Sequence, residues 1–173
     1  MEQLSHIASA RKEFERFKLL GEKSLDQLTD DDLHWQYNAQ SNSIAIIINH
    51  MWGNMLSRWT NFLTTDGEKA DRQRDKEFEQ NALSREELMT RWDEGWKCLF
   101  DALDSITHDT IDTVIYIRKE PHSIADAIHR QLAHYASHIG QVMYIGRMIK
   151  GESWQSLSIP KGQSEAFNRR MMG

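Results

Sequence analysis

Residues 123–150 have the sequence SIADAIHRQLAHYASHIGQVMYIGRMIK, and the spacing of the apolar residues predicts one long α-helix. Ser123 can cap its amino end, and Gly151 is suited to terminate it. Because an α-helix turns by about 100° per residue, this segment has an apolar arc that can face a core. The arc consists of Ile128, Leu132, Tyr135, Ile139 and Val142.

A mostly polar line borders that arc. Its members are Ala127, Gln131, His134, His138, Gln141 and Ile145. Polar groups beside a core are costly unless they are paired or functional. His134 and His138 would lie one turn apart on the same face, close enough to share a metal ion. The chain has eight histidines, so such a pair also arises by chance, and core histidines satisfied by hydrogen bonds are the alternative.

Three more long helices are predicted earlier in the chain. Ser41 or Ser43 can cap the second, and Ser84 followed by Glu87 forms a capping box for the third. Helical periodicity places these helices at about residues 4–28, 43–63 and 84–103. A short turn rich in aspartate follows the first helix, and a long polar loop follows the second.

The rest of the chain is predicted to be less regular. DTVIYIRKE, residues 112–120, has β-branched and alternating residues that indicate a short extended stretch or hairpin before the last long helix. Residues 151–173 are expected to be largely irregular. Four long helices around one core predict an all-α protein, a four-helix bundle forming a single domain over residues 1–173.

Composition excludes several classes of protein. The chain has 173 residues, 39% of them hydrophobic and 27% charged, with a formal net charge of −5, which is typical of a globular domain. Nucleic acid is not an expected partner, because phosphate binding needs clustered positive charge. Neither a signal peptide nor a membrane span is indicated, and a single cysteine, Cys98, fits a reducing compartment. We therefore expect a cytoplasmic protein without a membrane partner.

The second helix carries a polar line of its own. Around His50 as origin, small polar side chains fall within about 40°. They are Ser43, Asn54, Ser57 and Asn61. If this line faces that of the last helix, His50, His134 and His138 can bind one divalent ion such as zinc, nickel or another late first-row metal. Three ligands leave a position open for water or substrate, which indicates catalysis more than structure.

The pocket beside such a site would be polar. Its lining is predicted to include Asn54, Ser57, Gln131 and Gln141, which could orient a substrate.

Other catalytic patterns are missing from the sequence. HYASH lacks the glutamate of the HExxH metalloprotease helix, and the glutamates of a di-iron bundle are also lacking. Phosphate-binding glycine loops and the GxSxG nucleophile turn do not occur. A mononuclear histidine site is the remaining candidate, with no general acid or base evident.

The stretch EPHSIADAIHRQLAHYASHIGQVMYIGRMIKGESWQSLSIPKGQSEAFN (residues 120–168), together with INHMWGNMLSRW (residues 48–59), resembles the DinB-like (damage-inducible protein B, YfiT-type) superfamily. The resemblance implies a four-helix bundle of up-down-down-up type, often dimeric. It also implies a divalent metal bound by one histidine of the second helix and two of the fourth, which correspond to His50, His134 and His138. Characterised relatives imply metal-assisted chemistry with low-molecular-weight thiols, such as transfer of bacillithiol or mycothiol to electrophiles.

Three functional hypotheses follow. The first is a metal-dependent transferase or hydrolase, in particular a low-molecular-weight-thiol S-transferase in detoxification or stress response, with nickel or zinc and a thiol co-substrate. Its partners would be a small-molecule substrate and a second copy of the chain in a homodimer. The second is a non-catalytic metal or small-molecule binding protein. The third is a structural protein whose histidines are hydrogen-bonded in the core.

Overall fold

The computed structural model describes residues 2–80 and 82–173, and within them the chain is mostly helical. The four long helices are α1 (Glu2–Leu25), α3 (Ile44–Trp59), α4 (Arg85–Asp104) and α5 (Ile124–Lys150). The short elements are α2 (Asp30–His34), α6 (Ser164–Met172), and 3₁₀ turns at Arg74–Phe78 and Gly151–Ser153. Strands β1 (Ile115–Ile117) and β2 (Glu120–His122) pair antiparallel before α5.

Side-chain caps fix where the long helices begin. The Ser84 hydroxyl accepts a hydrogen bond from the backbone N–H of Glu87, and the Glu87 carboxylate accepts one from the backbone N–H of Ser84. This reciprocal pair is the predicted capping box. The hydroxyls of Ser43 and Ser123 cap α3 and α5.

The predicted carboxyl end of the second long helix, near Leu63, is wrong. α3 ends at Trp59, and the chain turns at Asn61, which has a φ of 49°. That left-handed conformation cannot continue an α-helix, and asparagine is among the few residues that tolerate it.

The four long helices share one hydrophobic core. α1 packs against α5, α3 packs against α4, and α3 also contacts α5. At the centre, the Trp96 indole lies 5.9 Å from the Tyr135 ring in an edge-on arrangement, and both side chains are buried. In the described ranges, no helix combines the length and apolarity needed to cross a membrane.

The predicted extended stretch forms the β1–β2 hairpin. Its two turn residues, Arg118 and Lys119, have φ angles of 54° and 66°, a region that side chains other than glycine seldom adopt. The Asp66 carboxylate accepts hydrogen bonds from both of their backbone N–H groups, at 2.8 and 2.7 Å. Asp66 therefore stabilises the turn and ties the hairpin to the loop after α3.

The carboxyl-terminal segment is less irregular than predicted. Residues 154–163 have turns and irregular backbone, but α6 covers Ser164–Met172. Pro160 and Gly162, the latter with a φ of 83°, interrupt the chain before this helix. The residues that follow are mostly good helix formers, namely glutamate, alanine, arginine and methionine, which explains the difference.

Candidate metal centre

Two helices bring three histidines together. α3 supplies His50, and α5 supplies His134 and His138 one turn apart on the same face. The Nε2 atoms of His50 and His134 are 3.4 Å apart, and those of His134 and His138 are 3.0 Å apart. The three potential ligand atoms all lie within 4.8 Å of one another. His50 is buried and the other two rings are half-buried, so the rings converge at the edge of the core.

The spacing of these nitrogens suits a divalent metal ion. Imidazole nitrogens bind zinc at about 2.0–2.1 Å, so two of them at a tetrahedral angle are about 3.3–3.4 Å apart. At an angle of about 90°, the same bonds place them about 2.8–3.0 Å apart. The distances of 3.4 and 3.0 Å match these two values. The donor set and its spacing therefore fit a metal ion.

An oxygen atom faces the second nitrogen of each ring. With the proton on Nδ1, each ring donates to that oxygen and presents the lone pair of Nε2 to the common point. Such lone pairs repel one another, and a cation between them would remove the repulsion. The pairs are His50 Nδ1 with Glu77 Oε2 at 2.9 Å, His134 Nδ1 with Gln131 Oε1 at 3.3 Å, and His138 Nδ1 with Gln141 Oε1 at 3.1 Å.

Glu77 is a site residue that the sequence analysis missed. It lies in the 3₁₀ turn Arg74–Phe78, within a loop that the sequence marks only as polar. Its side chain reaches His50 because Gly53 has no side chain, and a Cβ there would lie 2.8 Å from Glu77 Cδ. The Phe78 ring packs 4.4 Å from the His50 ring. An aromatic residue in a polar loop was the one available signal that this turn contacts the core.

Arg72 keeps Glu77 charged. Its Nε and Nη2 donate to the two carboxylate oxygens of Glu77 at 2.7 and 2.8 Å, and its Nη1 donates to Glu68. Burial alone would raise the pKa of Glu77, but hydrogen bonds from His50 and Arg72 and the charge of Arg72 outweigh it and lower that pKa. The charged carboxylate therefore accepts the Nδ1 proton of His50 and fixes which nitrogen carries the lone pair.

Burial keeps the two histidines of α5 neutral. Burial first, then repulsion from His138 and His50, and then the charge of Arg58 together lower the pKa of His134 to about 3. Burial also lowers the pKa of His138, against a hydrogen bond with Gln141 that raises it. Neutral imidazole is the form that binds a metal ion, so both rings are ready to bind one at neutral pH.

Three of the predicted pocket residues hold their neighbours in place. The amide oxygens of Gln131 and Gln141 face histidine rings, as described above. The Asn54 oxygen accepts a hydrogen bond of 3.0 Å from the Tyr135 hydroxyl, which itself accepts one of 3.2 Å from Trp59 Nε1. These contacts join α3 to α5 directly beside the histidines.

Ser57, the fourth predicted pocket residue, anchors the loop after α3. Its hydroxyl donates to the Gly67 carbonyl at 3.1 Å and accepts from the backbone N–H of Lys69 at 3.0 Å. Ser57 also lines a cavity of about 660 Å³ whose wall includes Arg72 and Glu77. A space large enough for a small molecule therefore adjoins the carboxylate that positions His50.

Comparison with known proteins identifies one family. The family model described as "Protein of unknown function (DUF1572)" matches residues 2–163, which is most of the chain. None of the curated proteins matches the chain. The description of the family names no ligand or reaction, so the function has to be argued from the geometry of the centre.

Proposed function

The chain belongs to the DUF1572 family, and on that premise we propose that it is a divalent-metal-dependent enzyme of the DinB-like superfamily. The proposal includes a four-helix bundle forming a single domain over residues 1–173. The observation that supports a metal-dependent function is the convergence of three imidazole Nε2 atoms, with 3.4 Å between those of His50 and His134 and 3.0 Å between those of His134 and His138. Three protein ligands with an open position are typical of catalytic rather than structural metal sites. Nickel and zinc are the proposed ions, because imidazole ligands suit late first-row metals.

The residues of the centre would have different roles. His50, His134 and His138 would hold the ion, and Glu77 keeps the proton of His50 on Nδ1, away from it. A bound divalent cation would lower the pKa of a thiol or water molecule coordinated to it. Asn54 and its hydrogen-bonded neighbours keep α3 and α5 in register, which preserves the angle at which the rings meet.

The proposed reaction is transfer of a low-molecular-weight thiol of the bacillithiol type to an electrophile, in detoxification or stress response. A sulfur–carbon bond forms, the thiol proton passes to solvent, and the leaving group of the electrophile departs. The resemblance to the DinB-like superfamily supports this reaction, as does the polar surrounding of the histidines. A homodimer belongs to the same proposal, and the cytoplasmic location expected from the sequence stays a prediction.

Consumption of bacillithiol in the presence of a panel of electrophiles tests this function. Protein loaded with zinc or nickel should show turnover, and His138→Ala should fall to the uncatalysed rate. His129→Ala is the matched control, because His129 is an exposed histidine on the same helix and is not one of the three clustered histidines. Turnover by His138→Ala equal to that of the unaltered protein would rule out a metal-dependent reaction at this centre.

A non-catalytic metal or small-molecule binding protein is the second candidate. One observation favours it: the carboxylate nearest the histidines, Glu77, is occupied by His50 and Arg72 and is not free to act as a general base. This candidate predicts stoichiometric binding without turnover. A binding titration run beside the thiol assay separates the two.

A further inference from the structure

A buried cation close to the centre forms no ion pair with any residue that the structure describes. Arg58 lies on α3 and is 5% exposed. Its Nε and Nη1 atoms are covered, and no group in the described part of the chain accepts a hydrogen bond from them. Buried charged groups are normally paired, because an isolated charge loses its hydration without compensation. Burial accordingly lowers the pKa of Arg58.

The acidic residues around Arg58 are committed to other partners. Glu68, whose charge acts on Arg58, accepts hydrogen bonds from Arg72. The carboxylate of Asp66 accepts three backbone N–H groups, two of them from the hairpin turn. An anion for Arg58 therefore has to come from outside these residues.

Arg58 lies about 80° around α3 from His50, and its charge reaches the α5 side of the centre. It follows His50 by eight residues, about 12 Å along the helix axis, and helical side chains lean toward the amino end, here toward His50. Its charge acts on both His134 and Tyr135 across the α3–α5 contact. The backbone of Gly67 lies against the guanidinium, since a Cβ there would be 2.8 Å from Nη1.

We propose that Arg58 binds the carboxylate of a small-molecule substrate whose other end occupies the three-histidine centre. This inference rests on the proposed metal-dependent function and narrows the substrate to a metal-binding group, such as a thiol, joined by a short chain to a carboxylate. A single unpaired guanidinium suits a monoanion, and charge-assisted hydrogen bonds between guanidinium and carboxylate are among the stronger contacts in proteins.

A series of mercaptocarboxylates and their neutral amides tests the proposal. Cobalt(II)-loaded protein provides the signal, because thiolate bound to cobalt has a characteristic absorption band. We expect the carboxylate of the best-fitting length to bind at least about tenfold more tightly than its amide, which is the effect of one charge-assisted hydrogen bond at a buried site. Equal binding of acid and amide by cobalt-loaded protein would overturn the Arg58 proposal and leave the metal centre intact.

Variants test whether Arg58 is the residue responsible for the preference for the carboxylate. Arg58→Gln should abolish the preference for the acid over the amide. Arg130→Gln should keep that preference, and it is the control for non-specific attraction between positive charge and the ligand, because Arg130 is an exposed cation near Arg58. If Arg58→Gln does not fold, Gly67→Ala displaces the guanidinium without removing its charge and should reduce the preference. A full preference in Arg58→Gln or in folded Gly67→Ala would contradict the proposal.

A measurement that needs no metal separates the two proposals. The ¹⁵N signal of Arg58 Nε, assigned by its loss in Arg58→Lys, should shift and saturate when acetate is added to metal-free protein. If cobalt does not bind, the proposed metal function fails, and this titration still decides the anion site. A saturable shift would support the anion site, and an unchanged signal would overturn it.

Discussion

Replacing Glu77 with alanine should weaken metal binding by about 10- to 100-fold, or about 1.4–2.8 kcal/mol. The Glu77 carboxylate accepts the Nδ1 proton of His50 at 2.9 Å, and without it the ring can rotate or move its proton to Nε2. The loss should be near the upper limit, because His50 is only 4% exposed. Glu77→Gln keeps an oxygen acceptor and should lose less.

The same substitution should destabilise the metal-free protein. Arg72 would lose hydrogen bonds of 2.7 and 2.8 Å while its side chain remains 6% exposed. Removing one partner of a buried ion pair costs about 3–5 kcal/mol, because the other charge stays buried. Contacts that remain between Arg72 and Glu68 should hold the cost at the lower end.

Two titrations measure these effects separately. Competition with a chelator gives the affinity for zinc or nickel, and urea unfolding without metal gives the free energy of unfolding. Glu79→Ala is the control, because Glu79 is an exposed carboxylate in the same loop. A folded Glu77→Ala protein with unaltered metal affinity would refute the positioning role of Glu77.

Three further substitutions test the scaffold and the centre. In Gly21→Ala, the new Cβ would lie 2.6 Å from Trp92 Cζ2. The cost of overpacking, about 1–3 kcal/mol, should exceed the gain of about 1 kcal/mol in helix propensity, so the variant should be less stable. A higher urea midpoint of unfolding would contradict this. Asp66→Asn should lower the free energy of unfolding by about 1 kcal/mol at pH 7. Burial alone would raise the pKa of Asp66, but the backbone hydrogen bonds outweigh burial and lower that pKa. The stabilisation by Asp66 is therefore present above the unfolded pKa of about 3.9 and should disappear as the pH falls through the lower, folded value. An equal difference in the free energy of unfolding between the two proteins at pH 7 and at pH 2 would contradict this. His138→Ala should fold, because this ring is half-exposed, but zinc should no longer raise its melting temperature; a retained rise would show that the ion binds elsewhere.

The parts of the structure that depend on local periodicity could be predicted from the sequence. Four-residue spacing places His134 and His138 on one face of any α-helix, and the same geometry places Asn54 one turn from His50. The capping box at Ser84 depends only on two residues three positions apart, which made it predictable, and the structure confirms it. These features need no knowledge of the tertiary fold.

The residues that complete the site could not be predicted in the same way. Glu77 lies 27 residues after His50, in a loop without hydrophobic periodicity, and reaches it only because that loop folds back over Gly53. That Arg58 forms no ion pair with the described residues depends on which partners Glu68 and Asp66 have in three dimensions. No local pattern in the sequence contains that information.

Metal analysis tests the central claim most directly. Protein prepared without a histidine tag is loaded with zinc or nickel, freed of excess ion and analysed for its elements, beside a variant in which His50, His134 and His138 are all alanine. We predict one ion per chain in the unaltered protein and none in the variant. Absence of a retained ion from the unaltered protein, or equal retention by both, would contradict the three-histidine centre.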